Sequence, residues 1–571
     1  MPHVVTRSCC GDASCVYACP VNCIHPTPDE PGFATAEMLY IDPASCVDCG
    51  ACVSACPVGA IKHHTKLTDA ELPFLEINQL FHADPEPRPP QAPTPVHEPL
   101  RTGGATLRVA VVGAGPAGLY AADELLKHEA VEVTVIDRLP TPHGLVRAGV
   151  APDHPDTKAV AELFAKIEEQ PGFSYALGVD IGTDVTHEGL LRHCDAVVYA
   201  TGASADARLG IPGEDLPGSR PATSLVGWIN GHPAHAEADV SLATDRVVII
   251  GNGNVALDIA RLLATDPNRL APTDISDRAL ATLRTSQVRQ IDIVARRGAA
   301  QAACTLPELT SLAQREDLVV TVEGDLHLDD ETARARGEDR LDPLLEHKIA
   351  LFERLAARRD PGDDRPRIVF RFGLTPRELE GTDEVERILL AENSVRRVDG
   401  RVTAEPTGRE LSIETSLVLR SVGYRGVQLT DLPFDPTTGT VPHEAGRVIH
   451  GAAVVPSTYV TGWIKRGPSG YIGTNKTDAQ ETVASLVADV NGGRLRLDTS
   501  PRERLTAFLT RTIPGVVDLR TWRAIERFER ARGAAAQRSR RKIAEPELIA
   551  AVTERIGRPS RPAGVLPDRP R

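Results

Sequence analysis

Residues 107–126 read LRVAVVGAGPAGLYAADELL, and the reading of the whole chain starts there. The apolar run ending at Val112 has the length and composition of a buried strand, and the segment after Pro116 has helical periodicity. Between them stands Gly113-x-Gly115-x-x-Gly118. The first glycine permits a tight turn, the second lets backbone approach a pyrophosphate, and the third lets the helix pack closely. The helix N-terminus attracts the phosphate charge. A second apolar run, VEVTVI, ends at Asp137, 24 residues after Gly113, where a carboxylate can accept a ribose hydroxyl. Strand, turn, helix and acid in register predict a dinucleotide site.

The pattern returns at residues 245–263, DRVVIIGNGNVALDIARLL, with Gly251-x-Gly253-x-x-Ala256 after the strand. Here the later strand, IDIVARR, ends in Arg296-Arg297 where an NAD site would carry an acid. Two guanidinium groups suit a 2′-phosphate, which predicts NADP; the alternative is a pair of ordinary surface charges. From Gly251 to Arg296 is 45 residues, more than the usual spacing, and the helix-biased stretch TDISDRALATLRTSQVRQ (273–290) accounts for the excess. Two such units predict an α/β protein with two Rossmann-like dinucleotide-binding domains, FAD first and NADP second.

The cysteines tell a second story. Nine of the eleven lie in the first 56 residues, which in a reducing compartment points to metal or redox chemistry. Cys46-x2-Cys49-x2-Cys52-x3-Cys56-Pro57 is the run of a two-cluster ferredoxin, whose fourth cysteine crosses to the other cluster. The competing reading is a zinc site, but zinc sites usually pair two CxxC turns at a distance. The spacing is echoed by Cys9-x2-Asp12-x2-Cys15-x3-Cys19-Pro20. The crossover rule assigns Cys19, Cys46, Cys49 and Cys52 to a [4Fe-4S] cluster and Cys9, Cys15 and Cys56 to a second. Asp12 stands where the second group would have its fourth thiolate, and oxygen holds this iron less firmly. The second cluster is [3Fe-4S] or [4Fe-4S], with three-iron favoured and Asp12 open as a labile ligand. Cys10 and Cys23 are left over, Cys23 packing near a cluster. Cys194 and Cys304 belong to no redox pair, which disfavours disulfide reduction and makes both core residues.

The 571 residues carry 64 Lys+Arg against 78 Asp+Glu, a formal charge of −14, with 41% hydrophobic and 25% charged residues. Nucleic acid and anionic membrane are therefore poor partners, no run is long enough to span a bilayer, and wholesale disorder is excluded. The N-terminus lacks a signal-peptide core, so a cytoplasmic protein is expected. Residues 82–104, HADPEPRPPQAPTPVHEPLRTGG, hold seven prolines and suit a semi-rigid polyproline spacer. The expected domains are a ferredoxin unit (1–80), the linker (81–105), a first FAD-domain part (106–212), an NADP domain (213–425) and a second FAD-domain part with C-terminal helices and tail (426–571). The segment RSRRK (538–542) and the last dozen residues read as solvated tail.

Residues 1–66, with the turns PVNCI and PVGAI after each Cys-Pro, resemble seven-iron bacterial ferredoxins. GLVRAGVAPDHP (144–155), DAVVYATGA (195–203), IPGEDLPG (211–218), GNGNVALDIARLL and GWIKRGPSGYIGTNK (462–476) resemble adrenodoxin reductase-type ferredoxin–NADP reductases over roughly residues 106–550. The chain is similar to the actinobacterial fusions of the two. The resemblance implies a glutathione-reductase-like arrangement, with Gly115, Asp137, Leu145 and Val185 lining FAD. Trp463 and Gly470, Tyr471 and Ile472 would hold the isoalloxazine end, Gly470 also lying near the nicotinamide. Arg208, Asn252, Gly253, Asn254, Val255, Arg296, Arg297 and Glu308 would bind NADP. His154 and Glu308 are the candidate catalytic residues; His154 either assists proton movement or is a hydrogen-bonded structural histidine.

The function implied is ferredoxin–NADP reductase chemistry, in which NADPH gives hydride to FAD and FAD gives single electrons to fused or external ferredoxin. Two other readings stay open from sequence: an NADPH-dependent input subunit of a larger complex, and a reductase whose ferredoxin module is a redox sensor or docking adaptor.

Overall fold

The computed structural model describes residues 2–83, 89, 91–94, 97–359, 362–544, 549 and 551–552. Strand Leu107–Val112 is buried along almost its whole length, because it lies inside a parallel sheet covered on both faces. Its seven-stranded sheet runs His443–Glu444, Arg447–His450, Ala453–Val460, Ala196–Tyr199, Leu107–Val112, Val131–Asp137, Phe173–Leu177. Ala453–Val460 and the four strands after it in that order are parallel, and the first two extend the edge antiparallel. Helix Pro116–Leu126 packs against the long helix Thr474–Asn491, so two distant parts of the chain close one layer.

The second unit builds a six-stranded parallel sheet in the order Ser219–Pro221, Val418–Arg420, Arg246–Ile250, Gln290–Val294, Arg367–Arg371, Val319–Glu323. The expected insertion is there: helices Pro267–Leu270 and Asp277–Arg284 stand between helix Asn254–Ala264 and strand Gln290–Val294. A three-stranded antiparallel sheet, Leu374–Glu380, Arg387–Val398 and Arg401–Glu414, was not expected. It buries Leu379, Ile388, Leu390 and Ile413 with Val248, Ile250 and Val418, so part of this half's core lies between sheets. Chain passes between the halves where Ala205–Asp206 pairs antiparallel with Tyr424–Arg425.

The N-terminal module is made of two short ribbons, His3–Val5 with Ile61–His63 and Ile24–His25 with Tyr40–Ile41, and helices Ser14–Ala18 and Ala51–Ala55. Helix Pro73–Phe81 ties them together through one buried side chain. Asn78 Oδ1 accepts from Val5 N (3.2 Å) and Ile41 N (2.9 Å), and Nδ2 donates to Val5 O (2.9 Å) and Phe74 O (2.8 Å). An Asn78→Leu substitution would strand those backbone groups, each at about 1–3 kcal/mol.

Two expectations are corrected. The segment 538–542 is no solvated tail. Lys542 is buried, 3.0 Å from Asp274 and donating to Arg147 O (3.0 Å); Arg538 meets Asp277 (2.5 Å) and Arg540 meets Glu526 (2.6 Å). These carboxylates come from remote elements, so the basic run is a set of partnered side chains and not a charged surface. The last dozen residues lie outside the described ones. In the proline-rich stretch, residues 84–88, 90, 95 and 96 also lie outside them. What is described is not a free spacer: Asn491 Nδ2 donates to Glu98 Oε1 (2.8 Å) and Pro99 O (3.0 Å), and Arg101 N donates to Asn491 Oδ1 (2.8 Å).

Candidate active site

Both glycine turns have the same geometry. Gly113 has φ +116°, and a Cβ there would lie 2.3 Å from Ala200 O; Gly251 has φ +110°, and a Cβ there would lie 2.1 Å from Ser421 O. Gly118 backs onto Gly113 in the first turn of its helix, and Ala256 takes that place, fully buried, in the second unit. Gly115 and Gly253 are the N-caps of helices Pro116–Leu126 and Asn254–Ala264, and neither has a side-chain cap. Pro116 has no N–H and Ala256 N donates to Gly253 O (2.9 Å); the other first-turn N–H groups are left for an anion, and the chemistry of both cradles fits a pyrophosphate.

The ends of the next strands differ. Asp137 Oδ2 accepts from Ala114 N (2.7 Å) and Oδ1 from Leu139 N (2.8 Å), which fixes the carboxylate beside the turn with lone pairs to spare. Burial pushes its pKa up. Arg296 is exposed and Arg297 half-buried, and among the described residues no carboxylate pairs with either guanidinium. Burial and then its neighbour Arg296 lower the Arg297 pKa. A like-charged pair left without an acid is a site that fits a doubly charged phosphate. Arg208 is different: it is mostly exposed and tied to Asp215 (2.7 Å) and Glu214 (3.6 Å). Leu145 is 41% exposed on the short helix Gly144–Ala148, an apolar side chain with a face to cover, whereas the Val185 side chain is buried in the core. Asn252 Oδ1 accepts from Ala303 N (3.2 Å) and Asn254 Oδ1 from Thr305 N (2.8 Å), locking Asn252–Val255 to the start of helix Leu306–Ala313.

Glu308 stands in the first turn of that helix, and His154 faces it across the boundary between the halves. The group is dense: Arg7 Nη1 donates to His154 Nε2 (2.9 Å) and lies 3.6 Å from Glu308; Arg261 meets Asp153 (2.7 Å), Asp258 (2.8 Å) and Glu308 (3.9 Å). His154 Nε2 is also 3.8 Å from Asp258. Burial lowers the His154 pKa to about 4, with Arg261 and Arg7 adding and Asp258 opposing. Burial pushes Glu308 up to about 7 against the pull of Arg7. Arg7 is the surprise, because it comes from the N-terminal module.

The loop after Gly462 carries Trp463, whose Nε1 donates to Ser469 O (3.1 Å) and whose ring lies 5.5 Å from that of Tyr424. Gly470, Tyr471 and Ile472 follow, half-buried, with Tyr471 N donating to Thr474 Oγ1 (2.9 Å). Gly473 then touches the N-terminal module: its N–H donates to Cys10 O (2.7 Å), and a Cβ there would lie 2.1 Å from Asp12 N.

The thiols fall into two groups related by an internal repeat. Helices Ser14–Ala18 and Ala51–Ala55 each start from a left-handed residue, Ala13 (φ 60°) and Gly50 (φ 73°), and each end at a cysteine in the same extended conformation, Cys19 and Cys56. Cys23 N donates to Cys19 Sγ (3.4 Å) and Ala60 N to Cys56 Sγ (3.3 Å). Cys19, Cys46, Cys49 and Cys52 line one pocket, with Cys23 Sγ 3.4 Å from Cys19 Sγ. Cys9, Cys15 and Cys56 lie near one another and near Asp12, as does the left-over Cys10. Burial pushes the Cys9 and Cys52 thiols up to about 11, so each is a poor thiolate unless a cation compensates it. Converging sulfurs of this kind fit metal groups. Asp12 is otherwise engaged: its oxygens accept from Ser14 N (3.1 Å) and Ser14 Oγ (2.6 Å), and Lys476 Nζ lies 3.5 Å away. Cys194 and Cys304 are both buried, in different core clusters.

Arg7, Asp153, Asp258, Arg261, Gly473 and Lys476 were not singled out from sequence. Asp153, Asp258, Arg261, Gly473 and Lys476 lie inside quoted motifs, while Arg7 carries no local signal at all.

Residues 107–291 match the pyridine nucleotide-disulphide oxidoreductase family, and residues 39–62 match the 4Fe-4S binding domain. The chain is 47% identical over 574 residues to a probable ferredoxin/ferredoxin–NADP reductase of Mycobacterium tuberculosis, covering 98% of this chain and 96% of the relative. It is 43% identical to the NADPH-ferredoxin reductase FprA of the same organism, over 76% of this chain and 96% of the relative. The structure of M. tuberculosis FprA in complex with NADPH superposes with a TM-score of 0.72 at 40% identity, covering 79% of this chain and all of that one. With this architecture and a relative this similar over its full length, the chain belongs to the family of ferredoxin/ferredoxin–NADP reductases.

Proposed function

We propose that the protein is an NADPH-dependent flavoprotein reductase that exchanges electrons with iron–sulfur centres, its own and those of a separate one-electron acceptor such as a ferredoxin. The observation that carries this is the contact of Gly473 with Cys10 and Asp12: the loop expected to hold the flavin ring and the loop bearing Cys9 and Cys15 share a wall. When bound, the flavin supplies the conversion of hydride transfer into single-electron transfer.

The chain's own residues do the rest. Gly113, Gly115 and Gly118 bring backbone and helix N-terminus to the FAD pyrophosphate, Asp137 offers an acceptor to the ribose, and Leu145 covers an apolar face. Gly251, Asn252, Gly253, Asn254 and Val255 repeat the cradle for NADP(H), and Arg296 and Arg297 receive its 2′-phosphate. Arg208 joins them only by leaving Asp215. His154 serves as a neutral hydrogen-bond acceptor, since Arg7 occupies Nε2 and burial disfavours its charge. Glu308, near pKa 7, is the group that holds a proton beside it.

Cys19, Cys46, Cys49 and Cys52 suit a [4Fe-4S] cluster, and Cys9, Cys15 and Cys56 a [3Fe-4S] cluster. The Ser14 and Lys476 contacts of Asp12 favour the three-iron form, because they hold the carboxylate away from ligation. Iron and sulfide analysis with EPR during an anaerobic NADPH titration tests the reading. Flavin bleaching followed by cluster signals is expected, and a colourless protein without iron would refute it.

A further inference from the structure

The internal repeat makes the two thiol groups nearly equivalent in backbone, yet their surroundings are opposite. Around Cys9 and Cys15 the module is pressed onto the reductase. Gly473 donates to Cys10 O (2.7 Å), Lys476 lies 3.1 Å from Ser14 Oγ, and Arg7 reaches His154 (2.9 Å). A Cβ at Gly11, two residues after Cys9, would lie 3.8 Å from Tyr471 Cβ. The approach at Gly473 leaves no room for even a methyl group. The loop at the repeat-related position faces the other way. Cys49 is exposed, Val47 is 58% exposed, and Asp48 turns back to His3 (2.9 Å) and His63 (3.6 Å) of the same module.

From this asymmetry we infer a fixed order of transfer, which rests on the function proposed above: electrons enter the module at the Cys9/Cys15/Cys56 group and leave it from the Cys19/Cys46/Cys49/Cys52 group. The crossing of the fourth cysteines serves this order. Cys19 follows the inlet helix but belongs to the outlet group, and Cys56 follows the outlet helix but belongs to the inlet group, so each helix joins the two centres covalently. NADPH gives up a hydride, leaving NADP⁺; the flavin's two electrons then pass singly, each reducing one ferric site at the inlet and then one at the outlet. Two external one-electron acceptors are reduced per NADPH, and the flavin releases its proton to solvent. Lys476 is the latch: it faces Asp12 and Ser14 from helix Thr474–Asn491 and belongs to neither thiol group nor either cradle.

The test uses the full-length holoprotein under anaerobic conditions, with EPR of the two centres, flavin absorbance and reduction of cytochrome c as readouts. In Cys15→Ala, NADPH still bleaches the flavin, but the reduced signal of the outlet group does not form in the time wild type needs, although dithionite produces it. In Cys49→Ala, NADPH reduces the inlet group at the wild-type rate while cytochrome c reduction is lost. Lys476→Glu, which removes no thiol of either group, slows reduction of both groups by about tenfold and leaves NADPH–ferricyanide turnover unchanged. Outlet reduction at the wild-type rate in Cys15→Ala, full cytochrome c reduction in Cys49→Ala, or an unaltered rate in Lys476→Glu would each overturn the order. Failure of NADPH to bleach the wild-type flavin would instead remove the proposed function itself.

Discussion

At Gly113 the chain turns with φ +116° into helix Pro116–Leu126, and at Gly251 it turns with φ +110° into helix Asn254–Ala264. In both places the carbonyl of a crossing segment, Ala200 or Ser421, occupies the space a side chain would need. Both backbones fit the same demand, that of a pyrophosphate approaching a helix N-terminus. The halves part company one strand later, where Asp137 is held by backbone N–H groups and, among the described residues, no acid pairs with Arg296 or Arg297. In such folds the turn sets the class of ligand, and the end of the next strand sets which member of the class is taken.

The largest expected effect comes from the shared part. Gly251→Ala combines a positive φ with a steric clash, together about 4 kcal/mol, or close to a thousandfold in NADPH affinity, with flavin content unchanged. Gly113→Ala does the reverse and yields protein depleted of flavin. NADPH titration and flavin absorbance check both, and loss of flavin from the Gly251 variant would break the independence of the two cradles. Next comes the part that differs: Arg296→Ala with Arg297→Ala raises KM for NADPH by roughly a hundredfold, about 3 kcal/mol, and leaves KM for NADH nearly unchanged. Equal losses for both nucleotides would show that the arginines serve the cradle and not the 2′-phosphate.

A smaller effect comes from where the halves meet. The raised pKa of Glu308 means that the folded protein binds more protons than the unfolded chain between pH 4.5 and about 7, so this group's contribution to stability falls as pH rises through that window. Glu308→Gln removes the fall, and its stability relative to wild type should rise by about 2 kcal/mol between about pH 5.5 and 8 in denaturant melts. His154 has the opposite sign, its lowered pKa costing stability as pH drops from 6.5 towards about 4, and it cancels from the comparison because both proteins carry it. The smallest effect is expected from cutting the chain between Pro85 and Pro99. The module rests on both halves through Arg7, Gly473 and Glu37, whose Oε2 accepts from Leu306 N (2.6 Å), so cluster reduction should slow only on dilution well below about millimolar, with NADPH–ferricyanide activity intact.

Most of the fold was legible because its signals are local. A buried parallel strand, a left-handed turn and a helix start are each decided within a few residues, and the cysteine repeat set down two near-identical loops of positive φ and short helix. The site was legible in pieces. Glu308 and His154 were named, but their meeting was not, and neither was Arg7, which lies 147 residues from His154 in sequence. The basic run at 538–542 was misread for the same reason: Asp274, Asp277 and Glu526 cancel its charge from elements that no nearby pattern announces. The sheet Leu374–Glu380, Arg387–Val398 and Arg401–Glu414 went unseen, its strands being largely half-exposed and without strict alternation.

By itself the sequence determined two glycine turns at helix starts, their order, the arginine pair that ends the strand after the second, and the repeated spacing of the thiols. All of these depend on spacing along the chain, which backbone geometry converts directly into position. Only the tertiary structure decided which thiols lie against the loop that ends at Gly473, which histidine burial shifts down in pKa and which carboxylate burial shifts up. Those outcomes depend on burial and on charges brought together from hundreds of residues apart, and such energies exist only after the chain has closed on itself.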